Sequence, residues 1–135
     1  MLPCKHMDYL FLLGRILYGG FFLMSGINHF TGLNGMSEYA KSKGVPMPKL
    51  AVGASGLLII LGGLWIILGA LVRVGLYEII LFLVPVTFMM HRFWEEKDPM
   101  AKMMQQTNFM KNLALLGAAI MMLMLPAVWP LALNW

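Results

Sequence analysis

Four apolar stretches, near residues 9–28, 50–72, 74–91 and 112–132, occupy most of this 135-residue chain. The hydrocarbon core of a bilayer is about 30 Å thick, and a helix crosses it with roughly 20 mostly apolar residues. Each stretch reaches or approaches that length. In lipid every backbone N–H and C=O must be satisfied within the structure, which leaves helices or closed barrels. The alternation that a barrel strand needs is absent, and barrel strands are far shorter. The sequence therefore predicts an all-α protein, a polytopic membrane four-helix bundle. Too little chain remains for a soluble domain, so residues 1–135 are expected to form one domain.

The first stretch could be mistaken for a secretory leader. Its apolar run is long for a leader core, Arg15 interrupts it, and the sequence Ser25-Gly26-Ile27-Asn28-His29-Phe30 offers no small-residue cleavage site. It is expected to be retained.

Charge placement orients the spans. The two long connections, 28–49 and 91–112, hold Lys41, Lys43, Lys49, Arg92, Lys97, Lys102 and Lys111. The opposite side holds Lys5 and Arg73, with Arg15 just inside. Excess Lys and Arg stay in the cytoplasm, so the long connections are predicted to be cytoplasmic and both termini outside. The net charge of +4 then reflects orientation and contact with anionic lipid, and no nucleic-acid partner is expected. Between the second and third spans only Arg73 breaks the apolar sequence. Pro48 suits the first turn of the second helix, where its missing N–H is not needed. Pro85 should bend the third span, and Pro126 and Pro130 should weaken the end of the fourth.

Two charges lie within the spans, Arg15 in the first and Glu78 in the third. A charge at membrane depth costs roughly 3 kcal/mol on insertion scales and marks a partner or a site. Arg15 lies about 9 Å, and Glu78 about 7.5 Å, from the same membrane face at 1.5 Å per residue. Their similar depth predicts an intramembrane ion pair, Arg15–Glu78, with either a structural or a proton-linked role. A snorkelling Arg15 is the alternative.

Small residues recur at helical spacing. Arg15, Gly19, Phe22, Gly26 and His29 share one stripe of the first span, and Ser55, Gly62 and Gly69 recur in the second beside Gly56 and Gly63. Such stripes let membrane helices approach closely, and packing is their expected role.

At the other end of the bundle, Ser25, Asn28 and His29 close the first span, His91, Arg92 and Trp94 close the third, and Asn108 and Asn112 open the fourth with Lys111. These residues form an inner-face polar cluster that could hold a ligand, since neutral imidazole both ligates and hydrogen-bonds. The competing reading is a headgroup belt of interfacial His and Trp. On an ideal helix His91 lies about 140° around from Glu78, so the two cannot both face the first span unless Pro85 reorients the helix between them. Cys4 is the lone cysteine, which excludes an internal disulfide. With His6 and Met7 it could offer soft ligands, but a short terminal segment is the plainer reading, and no metal site is expected. No phosphate loop, zinc-protease motif or nucleophile elbow is present, so catalytic residues remain unknown.

The order of short motifs is familiar. Gly14-Arg15-Ile16-Leu17 is followed by Ser25-Gly26-Ile27-Asn28-His29-Phe30, then by Gly44-Val45-Pro46-Met47-Pro48. Leu61-Gly62-Gly63 and Leu68-Gly69 come next, then Phe88-Met89-Met90-His91-Arg92-Phe93-Trp94, then Asn108-Phe109-Met110-Lys111-Asn112 running on to Gly117. This series resembles the DoxX family of small four-helix membrane proteins. The resemblance implies a bundle in the bacterial cytoplasmic membrane. Some relatives are subunits of a thiosulfate:quinone oxidoreductase, and others are tied to redox complexes or oxidative-stress defence. This chain departs at two places: members often carry an acid in the second span where it has Ile59 and Ile60, and Lys where it has His29.

The leading functional expectation is an accessory or quinone-proximal subunit of a membrane redox assembly, with quinone as the cofactor the resemblance admits. No motif here moves electrons unaided, so other membrane subunits or a second copy are the expected partners, alongside lipid. A non-enzymatic scaffold or assembly factor and a small-molecule or proton carrier are the rival readings.

Overall fold

The computed structural model describes residues 4–133, so the ends of the expected 1–135 domain fall outside it. The described chain is all-α: α1 (Lys5–Thr31), α2 (Leu33–Ser42), α3 (Pro48–Leu68), α4 (Val72–Met90) and α5 (Pro99–Leu123), with a 3-10 turn at Phe93–Glu95. Three segments, α1, α3 and Val72–Glu95, are long and apolar enough to cross a membrane. Most of their large apolar side chains stay exposed in the isolated chain, among them Leu10, Leu17, Leu57 and Leu81. Lipid-facing positions behave in this way, because lipid tails are as apolar as the side chains themselves.

Small residues hold α1 on α3. The buried positions of α1 are Arg15, Gly19, Phe22 and Gly26, which is the stripe expected from the sequence up to its last member, the half-buried His29. A Cβ built on Gly19 would lie 2.6 Å from the Gly63 carbonyl oxygen, and one on Gly63 would lie 2.5 Å from that of Gly19. Gly26 and Gly56 make a second crossing point one step along. Gly62 meets Gly75 in the same way between α3 and α4. Around these contacts Phe22, Ile59, Ile66, Leu76, Ile79 and Leu83 form a sealed core.

The turn between α3 and α4 falls earlier than expected. Gly69 (φ 71°) and Leu71 (φ 46°) both take left-handed backbone around Ala70, and Arg73 lies inside the first turn of α4. Glycine at the first of these positions is the usual helix stop. Leu71 reverses the chain at a conformational cost of roughly 1 kcal/mol or more. Pro85 is accommodated within a continuous α4.

The fourth span is corrected most. α5 starts at Pro99, where Asp98 caps it by accepting from the Ala101 N–H at 3.0 Å, and ends at Leu123. The expected 112–132 helix is cut short because Pro126 has no N–H and disfavours helix in the residue before it. The rest of the apolar run folds back over the bundle. Trp129 is buried and meets the Phe11 ring edge-on at 5.2 Å, and the Leu133 N–H donates to the Leu68 carbonyl at 2.9 Å. The connection 28–49 was expected as loop but contains α2. Its Ser37 and Ala40 are buried, and α2 packs across the start of α3.

Candidate functional site

Among the described residues Arg15 has no carboxylate partner. Its side chain is 4% exposed. Nε donates to the Ile66 carbonyl at 3.1 Å, one terminal nitrogen to the Ile67 carbonyl at 2.6 Å, and the other to the Pro130 carbonyl at 2.6 Å. The expected Arg15–Glu78 ion pair is therefore not formed. The physical reason lies in the end of α3. A helix leaves its last carbonyls without intrahelical donors, its C-terminus attracts cations, and a planar guanidinium offers several fixed donors. The fold-back of 124–133 adds a further acceptor within reach. Glu78 instead packs its Cβ near Gly62, and its Oε2 is buried without a partner among the described residues.

The opposite end of the bundle holds a cavity of about 770 Å³, within the range of small-molecule sites. Its walls are largely apolar: Phe21 and Phe22 from α1, Val52 and Leu58 from α3, and Phe82, Leu83 and Met89 from α4. α2 covers one side with Met36, Tyr39 and Ala40. Its polar lining includes Ser25, His29, Ser55, His91, Lys111 and Asn112. Four residues of the expected inner-face cluster, Ser25, His29, His91 and Asn112, thus converge on one space.

The others are placed elsewhere. Asn28 is exposed, and its carbonyl accepts from the Gly32 N–H where α1 ends. Arg92 turns away to pair with Glu95 at 3.3 Å and to donate to the Lys43 carbonyl at 3.2 Å. Together with the Lys43–Glu96 ion pair at 3.3 Å, this ties the two long connections to each other. Trp94 stacks edge-on with Phe93 and Phe109. Asn108 does not line the cavity.

Sequence reasoning missed Tyr39 and Gln105, which organise one wall. Tyr39 Oη donates to the Met90 carbonyl at 3.1 Å, Gln105 Nε2 donates to Tyr39 Oη at 2.8 Å, and Gln105 Oε1 lies 2.7 Å from His91 Nδ1. This chain joins α2, α4 and α5. The only signal available was the spacing of Leu33, Met36, Ser37 and Ala40, which marks an amphipathic helix, but Gly32 and Gly35 obscure it.

His29 packs edge-on against Phe82 at 5.7 Å, and its Nδ1 donates to the Ser25 carbonyl at 2.7 Å. Asn112 is 5% exposed and lines the cavity. Lys111 lies over the Phe21 ring at 5.4 Å and has no ion-pair partner among the described residues. The cavity thus presents a cation and a buried amide beside two imidazoles, above apolar walls. It suits an amphiphile with a small polar head and an apolar body. Among the described residues no three of His, Cys, Asp and Glu gather as a metal site.

The stripe from Arg15 to His29 is filled by Gly19, Phe22 and Gly26 packed on α3. It is a seam between helices and carries no polar groups between its ends.

The DoxX family model matches residues 10–92, more than half of the chain. Neither a curated protein nor a solved structure matches it.

Proposed function

The chain belongs to the DoxX family, and we propose that it serves a membrane redox assembly as an accessory, quinone-proximal subunit. The observation that carries this reading is the cavity where Ser25, His29, His91, Lys111 and Asn112 meet above apolar walls. A quinone has the matching form. Its carbonyls would accept from Lys111 and from the Asn112 amide, while its ring and tail would lie along Phe21, Phe22, Val52, Leu58 and Phe82. A bound quinone supplies two-electron carrier chemistry. The residues of this chain would hold its head, exclude water and set the hydrogen bonds it receives, and the electrons would come from a partner subunit.

Two features weigh against the rival readings. The glycine stripes are used within the chain, between α1, α3 and α4, so a scaffold would need another surface to grip a foreign helix. The packed seam from Arg15 to His29 offers no polar path for a carrier. In the bacterial cytoplasmic membrane, with connections 28–49 and 91–112 inside and both termini outside, the cavity lies near the cytoplasmic surface.

The test is purification from the native membrane in mild detergent, followed by extraction and mass spectrometry of bound lipid-soluble molecules and co-purifying subunits. A quinone retained at near one per chain by the unaltered protein and lost in Ala51→Phe, which fills the cavity, supports the reading. No quinone in either preparation, or equal retention in both, overturns it.

A further inference from the structure

The hydrogen-bond directions in the cavity wall fix what its two imidazoles can offer. A backbone carbonyl only accepts. The Ser25 carbonyl 2.7 Å from His29 Nδ1 therefore requires a proton on that nitrogen. In the neutral ring the other nitrogen, Nε2, then carries a lone pair and no proton. His91 is set by a longer chain with the same kind of end. The Met90 carbonyl takes the Tyr39 hydroxyl proton, so Tyr39 Oη accepts from the Gln105 amide nitrogen. Gln105 must then present its oxygen to His91, and His91 Nδ1 is the donor at 2.7 Å. Both histidines line the same cavity. Neither Nε2 is among the polar atoms sealed without a partner, which are Glu78 Oε2, Thr87 Oγ1, Arg92 Nε and Trp129 Nε1.

The cavity therefore presents acceptors as well as donors: two imidazole Nε2 atoms on one hand, Lys111 and the Asn112 amide on the other. A ligand whose oxygens only accept leaves both imidazoles unsatisfied. A ligand whose oxygens donate and accept satisfies both sets. We infer that the cavity prefers a membrane-soluble aromatic diol, the two-electron-reduced form of a quinone, over the quinone itself. This rests on the quinone-proximal reading and adds to it the redox state that is held. It gives the chain a directional part, retaining the reduced carrier at the inner end of the bundle.

The experiment compares a short-chain ubiquinol with its oxidised form, under anaerobic conditions, on the full chain in detergent. Binding is read by quenching of tryptophan fluorescence. Two additional neutral hydrogen bonds correspond to about tenfold tighter binding of the reduced probe. His29→Leu and His91→Leu should each weaken binding of the reduced probe more than that of the oxidised probe, and so remove most of the preference. Because either variant could misfold, a second measurement uses unaltered protein labelled with 15N-histidine. Addition of the ubiquinol should move the Nε2 resonances upfield, as for nitrogens that begin to accept a hydrogen bond, and the oxidised probe should leave them in place. Equal or tighter binding of the oxidised probe, or Nε2 resonances that respond to both probes alike, overturns the inference and leaves the quinone-proximal reading standing. Failure of both probes to bind overturns both.

Discussion

His91 Nδ1 donates to Gln105 Oε1 at 2.7 Å, and this bond closes the corner where α4, α5 and α2 meet. Through Gln105 it is linked to Tyr39, the one residue of α2 that reaches the end of α4 by a hydrogen bond. Removing the Tyr39 hydroxyl frees the Met90 carbonyl and lets the Gln105 amide turn over. Tyr39→Phe should therefore loosen α2 and lower stability by about 1 kcal/mol. Hydrogen exchange followed by mass spectrometry should show faster exchange across residues 33–42, with α1 and α3 unaffected. Unchanged exchange would show that α2 is held by Ser37 and Ala40 alone.

Arg15 satisfies three carbonyls that have no other donor of comparable strength. Leaving a buried acceptor unpaired costs about 1–3 kcal/mol. Arg15→Leu is expected to lower the melting temperature in detergent by on the order of 10 °C, taking several degrees per kcal/mol for a chain of this size. Arg15→Lys should recover only part of the loss, because one ammonium cannot reproduce the planar fork. A more stable Arg15→Leu protein would mean that burying the guanidinium costs more than its three bonds return.

The seam between α1 and α3 predicts a contrast between two glycines. A Cβ at Gly63 would lie 2.5 Å from the Gly19 carbonyl oxygen and 2.9 Å from the Leu23 nitrogen, backbone atoms that cannot move aside alone, whereas a Cβ at Gly20 would meet nothing within 4 Å. Gly63→Ala should destabilise by about 1–3 kcal/mol as the helices are forced apart. Gly20→Ala should be neutral or stabilising by up to about 1 kcal/mol, since it removes a flexible residue from a helix. Thermal scans of both variants side by side provide the check.

Glu78 makes no ion pair among the described residues, and its Oε2 is buried without a partner. Glu78→Gln removes a charge while breaking no bond, so folding stability should be unchanged or raised by about 1 kcal/mol. Retained stability together with slowed turnover of the proposed redox assembly would mark Glu78 as a group that handles protons. A large loss of stability would reveal a partner for Glu78 in the membrane.

The parts of this fold that depend on helical periodicity are legible in the sequence. Arg15, Gly19, Phe22 and Gly26 are spaced so that they share a face whatever they pack against, and they do. The meeting of His29 and His91 is legible for the same kind of reason: each closes a span, and alternating spans bring their ends together. The partner of Arg15 is not legible, because its acceptors are main-chain carbonyls, which every residue carries and no side chain announces. The fourth apolar run is misleading because hydropathy counts Met121 and Leu131 alike, while Pro126 sends the chain from helix into an irregular strap. Tyr39 and Gln105 lie in connections whose polar composition resembles loop, and the packing of α2 on α3 and of α5 on α4 brings them to the site.

Chain order gives the Arg15 clamp a meaning in time. The guanidinium is synthesised early, the Ile66 and Ile67 carbonyls follow 51 and 52 residues later, and the Pro130 carbonyl follows 115 residues later. At about 5–20 residues per second, the last acceptor emerges on the order of ten seconds after the donor. Until the Ile66 and Ile67 carbonyls arrive, α1 carries an uncompensated charge and is poorly suited to rest in lipid; its side chain can reach for the headgroups meanwhile. Only a chain translated through Pro130 can bury Arg15 with all three bonds made. Pro130 thus closes the clamp last: a copy that stopped before it would hold Arg15 by the Ile66 and Ile67 carbonyls alone, with one guanidinium nitrogen left without its acceptor.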